Sequence, residues 1–145
     1  MNLSPNFALD ELTASETAAR HGIDNTPDQA TIQNLTRLAN ALQEVRALLG
    51  NKVIIVSSGY RSPELNQKVG GSATSDHCKG LAADFICPSY GTPDEIVRVV
   101  MASAIPFKQV IREFDKWVHF SIPEEGEAPR KQALIIDKQG TRNYA

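Results

Sequence analysis

His77, Asp84 and His119 are the residues in this chain best suited to hold a divalent metal, and Arg61 precedes them as a cationic donor. They lie in Ser57-Ser58-Gly59-Tyr60-Arg61-Ser62, in Ser75-Asp76-His77-Cys78-Lys79-Gly80-Leu81-Ala82-Ala83-Asp84, and in Trp117-Val118-His119-Phe120-Ser121. Two imidazoles and one carboxylate form a three-ligand set, which leaves one position of a tetrahedral ion such as zinc open to water. Catalytic sites keep that position open, whereas structural sites close it with a fourth ligand. His77 and Asp84 are seven residues apart with Gly80 between them. Residues on one helix face recur every three or four positions, so this spacing predicts a loop ligand followed by a strand ligand. Taken singly, each residue has a plainer use: a hydrogen-bonded core histidine, or an aspartate paired with a base.

The elements that must carry these residues are legible in turn. Residues 3–12 read as an extended lead-in. Thr13-Ala14-Ser15-Glu16 has capping-box spacing and predicts a short helix through Arg20, stopped by Gly22. Thr26-Pro27-Asp28-Gln29 repeats the start signal, with Pro at the first helical position. Ile32, Leu35, Leu38, Leu42, Val45 and Leu49 then follow at helical spacing, predicting one apolar face of a long helix ended near Gly50. Val53-Ile54-Ile55-Val56 reads as a buried strand. Ser62-Pro63-Glu64 starts a short helix to about Val69, and residues 70–74 form a loop. Leu81 to Cys87 reads as the strand that carries Asp84. Thr92-Pro93-Asp94-Glu95 opens a helix over residues 96–101, and Ile105-Pro106 ends it. Lys108–Glu113, Trp117–Ile122 and Gln132–Ile136 read as strands, the first two joined by a tight hairpin. Helices first and antiparallel strands later predict an α+β class, an antiparallel sheet flanked by helices.

With 145 residues, 41% hydrophobic and 22% charged, the chain is expected to form a single domain over residues 1–145. A net charge of −2, with no basic run longer than Arg130-Lys131, gives no electrostatic reason to expect nucleic acid as a partner. No apolar run approaches the roughly 18–20 residues that cross a bilayer, so no membrane partner is expected. The amino terminus lacks signal-peptide character, and the expectation is synthesis in the cytoplasm. Cys78 and Cys87 are too few for a disulfide framework and are expected to be free.

Taken together, the motifs resemble the zinc D-Ala-D-Ala carboxypeptidases and L-Ala-D-Glu endopeptidases of peptidoglycan metabolism, a group similar to subfamily A of the M15 peptidases. The group includes vancomycin-resistance D,D-dipeptidases and many phage lysins, and the amino-terminal domain of hedgehog proteins shares its fold. The resemblance is carried by residues 57–62, Leu65-Asn66, Gly70-Gly71-Ser72, Ser75-x-His77-x-x-Gly80-x-Ala82-x-Asp84 and Trp117-Val118-His119. Residues 7–46, with Gly22-Ile23-Asp24-Asn25-Thr26-Pro27 and Asn34-Leu35, look like the short phage-type branch. The resemblance implies a hedgehog-like zinc fold and a metallopeptidase that cuts the peptidoglycan stem peptide; the chain is expected to be a monomer. It implies one zinc ion per chain, held by His77, Asp84 and His119, with Arg61 stabilising the oxyanion. Ser75 is implied as a substrate-holding serine, although a turn hydroxyl would serve equally. Tyr60 and Trp117 are candidate substrate contacts, with core packing as the plainer role of each. A phage or prophage lysin, released to the cell wall or carried on a phage particle, fits this branch. A non-catalytic zinc-binding or tail module and a cytoplasmic D,D-dipeptidase are the alternatives.

One departure from the family bears on the general base. The usual carboxylate three residues before the last His is Lys116 here. If Phe114-Asp115-Lys116 is a three-residue hairpin loop, Glu113 faces Trp117 and Ile111 faces His119. Facing residues share one side of the sheet, with diagonal neighbours roughly 7–8 Å apart. Glu113 is therefore the expected base. Asp115 is the alternative, at a turn tip where Asp is common for turn chemistry alone.

Overall fold

A computed structural model describes residues 1–144 of the chain. The chain opens with a small hairpin, β1 (Asn2–Ser4) and β2 (Phe7–Ala8), followed by helices α1 (Leu9–Thr13), α2 (Glu16–His21) and α3 (Gln29–Leu48). The lead-in is thus not extended throughout: residues 9–13 coil, and Leu12 is inserted fully into the core. The predicted capping box at Thr13 does not form. Thr13 closes α1 instead, its Oγ1 donating to the Leu9 carbonyl at 3.0 Å. Ser15 then caps α2, accepting from the Ala18 N–H at 3.1 Å. Asp28 caps α3 through the Thr31 N–H at 2.8 Å, so Pro27 precedes the cap rather than opening the helix. Leu35, Leu38, Leu42 and Val45 form the predicted apolar face and are completely buried.

The remaining elements are β3 (Ile55–Ser58), α4 (Pro63–Lys68), a 3₁₀ turn over Asp76–Lys79, β4 (Ala82–Ile86) and α5 (Pro93–Met101), then β5 (Gln109–Glu113), β6 (Trp117–Ser121), β7 (Gln132–Asp137) and β8 (Gly140–Asn143). The last six strands named form one sheet in the order β3-β4-β6-β5-β7-β8. The class is α+β, as expected, but the sheet is mixed, because β5 and β7 run parallel. The chain after β6 returns along the β5 edge, where the Lys131 and Gln132 N–H groups donate to the Phe107 and Lys108 carbonyls. β3 is an edge strand, not a buried one. Val53 and Ile55 are 61% and 49% exposed, and Ile54 alone of that run is fully inside.

Alternation along the strands divides the sheet into two faces of different chemistry. Ala83, Phe85, Val110, Val118 and Phe120 are buried in one cluster with the apolar faces of α3 and α5. The intervening residues, Asp84, Glu113, Trp117 and His119, therefore project from the opposite face.

Candidate metal centre

Strand register brings the first two ligands together. β4 and β6 pair so that Asp84 lies directly opposite His119, and His119 Nδ1 is 3.0 Å from Asp84 Oδ1. β5 pairs with the other side of β6, with Ile111 opposite His119 and Glu113 opposite Trp117. This is the register expected from a three-residue loop.

His77 arrives from outside the sheet. Ser75 Oγ accepts the His77 N–H at 3.2 Å and starts the 3₁₀ turn, while Gly80, at φ +74°, ends it. An L side chain is disfavoured at that φ, and a Cβ there would press on Thr31 and Leu35 of α3 at 3.0 Å. His77 is 2% exposed. Its Nδ1 lies 2.7 Å from the Gly59 carbonyl. A carbonyl only accepts, so Nδ1 carries the proton and Nε2 keeps its lone pair for a metal. That Nε2 is 3.4 Å from Asp84 Oδ1.

One donor atom from each of His77, Asp84 and His119 lies within 4.8 Å of the others. Ligand bonds of about 2.0–2.2 Å set tetrahedral neighbours roughly 3.3–3.5 Å apart. The His77–Asp84 separation matches that spacing, and the His119–Asp84 contact is slightly tighter. Two nitrogen donors with one oxygen suit zinc, so the residues present fit such an ion. Burial alone would raise the Asp84 pKa, but the hydrogen bond from His119 and the closeness of both imidazoles outweigh it. The carboxylate is held well below its usual range and is ready to bind a cation.

The three ligands line a cleft of about 430 Å³ together with Arg61, Glu113 and Trp117. The Glu113 pKa is raised, chiefly by burial and then by the Asp84 charge, with both histidines and Trp117 opposing. The Trp117 indole N–H is buried and makes no hydrogen bond of good geometry. Asp115 does not border this cleft. It pairs with Arg112 Nε at 2.9 Å, and Arg112 also binds Asp94 of α5, across the sheet from Glu113. Lys116 borders the outer side of the hairpin rather than the cleft.

Arg61 follows β3 in a segment held at several points. Tyr60 N–H donates to the Leu12 carbonyl at 2.7 Å, and Arg61 N–H to the His77 carbonyl at 3.1 Å. Asn25 accepts the Ser62 N–H at 2.7 Å and donates to the Tyr60 and Thr13 carbonyls at 3.0 and 2.8 Å. The Arg61 side chain borders both the metal cleft and a neighbouring cavity of about 490 Å³, and its Nε is buried without a partner. Tyr60 is buried and borders the neighbouring cavity rather than the metal cleft. Ser75 combines its capping bond with a place on the wall of the metal cleft. Both cysteines are free thiols.

Three supporting residues escaped sequence reasoning. Gly59 sits so close to α1 that a Cβ would overlap the Leu12 carbonyl. Asp76, beside His77, is tied to Lys108 at 2.8 Å. Asn25 makes the three bonds above. Only Asn25 left a signal, in the Asp24-Asn25-Thr26-Pro27 run of turn-forming residues.

With this geometry in hand, comparison with known proteins gives two findings. A family model described as Peptidase M15 matches residues 5–121, a span that includes every cleft residue discussed above. A zinc D-Ala-D-Ala carboxypeptidase from Streptomyces albus G is 44% identical over 50 residues. That match covers 34% of this chain and only 20% of the Streptomyces protein.

Proposed function

From the premise that this chain belongs to the peptidase M15 family, we propose that it is a zinc metallopeptidase hydrolysing an amide bond in the peptidoglycan stem peptide. The relative's substrate class motivates the substrate. The observation that carries the chemistry is Glu113, a half-buried carboxylate in the same cleft as the His77, Asp84 and His119 donors. His77 Nε2, Asp84 and His119 would hold the ion. Zinc held there supplies Lewis-acid polarisation of a carbonyl and brings the pKa of water towards about 7.

The chain's own groups do the rest. Glu113 takes a proton from the attacking water, whose oxygen bonds to the carbonyl carbon. It returns that proton to the amine nitrogen as the C–N bond breaks. A raised pKa suits a group that must both accept and release the proton. Arg61 directs a guanidinium at the oxygen that becomes negative, and a fixed positive donor aimed at developing charge is a large catalytic term. Trp117 walls the cleft beside Glu113. Lys116 at the usual base position is the feature that favours a non-catalytic module, and the place of Glu113 in the cleft weighs on the side of catalysis. The phage-type character of residues 7–46 supports a wall-lysing role.

The test is mass spectrometry of soluble products from purified sacculi incubated with the zinc-loaded protein, with a chelator control and Glu113→Gln. Chelator-sensitive stem fragments that vanish in Glu113→Gln are expected, and their masses name the bond. Zinc-loaded wild type that releases no fragments sinks the proposal.

A further inference from the structure

The tip of the β5–β6 hairpin is built in an unusual way. Phe114 and Asp115 both adopt left-handed backbone, at φ 54° and 55°. Such positions favour Gly, Asn or Asp, and each costs an ordinary side chain roughly 1–2 kcal/mol. Asp115 suits its place and is held by Arg112. Phe114 does not suit its place, and its ring is 45% exposed. A bulky aromatic kept strained and wet calls for a purpose beyond the fold.

Its surroundings supply one. Phe114 and Trp117 form a tilted ring pair with centroids 6.0 Å apart. Both rings border a cavity of about 750 Å³ whose rim carries Lys116, Lys138 and Gln139, together with two ion pairs, Arg112–Asp115 and Arg142–Asp137. That volume lies within the range of small-ligand sites, about 300–1,000 Å³. Trp117 also walls the metal cleft, so the two spaces meet at one indole. Arg112 is engaged by Asp94 and Asp115, whereas Lys116, Lys138 and the Gln139 amide make no side-chain hydrogen bond or ion pair among the described residues.

Aromatic faces ringed by amide and ammonium donors match a sugar. The C–H face of a pyranose stacks on a ring, and its hydroxyl and N-acetyl oxygens accept from the rim. Resting on the stem-peptide reading above, we propose that the Phe114–Trp117 cavity binds the N-acetylated glycan strand from which the stem peptide hangs. The peptide would then pass from this cavity into the metal cleft across Trp117. Lys116 adds an unengaged donor to this rim, which gives the departure there a use.

The test uses the zinc-loaded full chain and a peptide-free tetrasaccharide of alternating N-acetylglucosamine and N-acetylmuramic acid. Trp117 is the sole tryptophan and borders both spaces, so its fluorescence reports ligand beside it, the Phe114 and Lys138 variants assign that ligand to this cavity, and titration calorimetry is an independent readout. Saturable binding near about 1 mM is expected, weakened at least about tenfold by Phe114→Asn. Asn tolerates the left-handed backbone, so this variant should melt no lower than wild type. Lys138→Ala should weaken binding as well. The ratio of sacculus turnover to free stem-peptide turnover should fall in both variants. No saturable binding by calorimetry, or binding indifferent to both substitutions, overturns the proposal. Strand binding without release of stem fragments supports this site while sinking the hydrolytic reading. Release of fragments without strand binding sinks this site alone.

Discussion

Replacing Gly59 by alanine should uncouple the metal centre from its support. Gly59 has no positive φ, so the substitution is a problem of space rather than of dihedral angle. The added Cβ would overlap the Leu12 carbonyl, which is backbone and already accepts the Tyr60 N–H at 2.7 Å. Residues 59–60 must therefore move away from α1. Overpacking of this kind costs about 1–3 kcal/mol. The same movement displaces the Gly59 carbonyl from His77 Nδ1, now 2.7 Å away. Loss of such an outer hydrogen bond typically lowers metal affinity by about 10–100-fold, or about 1.4–2.7 kcal/mol. Two measurements separate the terms. Urea unfolding in chelator should report the first alone, and competitive zinc titration against a chromophoric chelator should report the second. Because the ion stabilises the folded state by mass action, the deficit in saturating zinc should exceed that in chelator by the second amount. Gly70→Ala is the comparison: a Cβ there meets nothing within 4 Å but the backbone is left-handed at φ +78°, so it should lose stability through strain while leaving zinc affinity unchanged. Zinc affinity unchanged within about twofold would refute the claim that Gly59 orients His77.

Glu113→Gln should cut turnover by about 10²–10⁴-fold while leaving zinc content intact, as measured by single-turnover assay and atomic absorption. The Glu113 pKa is raised in the fold, so its charged form opposes folding above that pKa and ceases to as pH falls below the unfolded value. Metal-free Glu113→Gln should thus be more stable than wild type at pH 7, and the advantage should vanish in acid; an advantage that grows in acid would contradict this. Asn25→Ala removes three hydrogen bonds at 2.7–3.0 Å and should cost about 2–4 kcal/mol by urea unfolding, together with a fall in kcat as the Arg61 segment loosens. Tyr144 has its pKa pushed up to about 12, by burial and then by its 2.9 Å bond to Asp94 and that carboxylate's charge. That contribution is complete below the ordinary tyrosine range and lost as pH rises through about 12. Tyr144→Phe should remove the last phenolate step from an ultraviolet titration and cost about 0.5–1.5 kcal/mol.

What could be read from the chain followed local rules. The leucine face of α3 was legible because burial on one side of a helix leaves a period. The Glu113–Trp117 register was legible because a three-residue loop fixes the pairing of the strands it joins. Once that register is set, Ile111 must oppose His119. The convergence of His77 with Asp84 and His119 rested on recognising a motif, since nothing in their spacing alone closes the distance. The parallel β5–β7 pair was hidden, because β7 reads the same whichever way it runs. Gly59 and Asp76 were hidden for a similar reason. Each is defined by a partner distant in the chain, Leu12 or Lys108, and a small or charged residue in a loop has many uses. α1 was missed because five residues carry too little period to outweigh an extended reading.

The way the ligands are distributed has a kinetic consequence. Asp84 meets His119 across 35 positions, and His77 meets its supporting carbonyl across 18. α3 can form from neighbours alone, but the metal-binding geometry waits for β6 to dock between β4 and β5. Contacts of such long range close late in folding. An ion that needs the finished geometry has little hold on a chain still short of it. Zinc should then leave the folding rate almost untouched and act on the reverse step, slowing escape from the native state. The half-life for irreversible thermal inactivation, which the unfolding rate governs, should then lengthen in zinc.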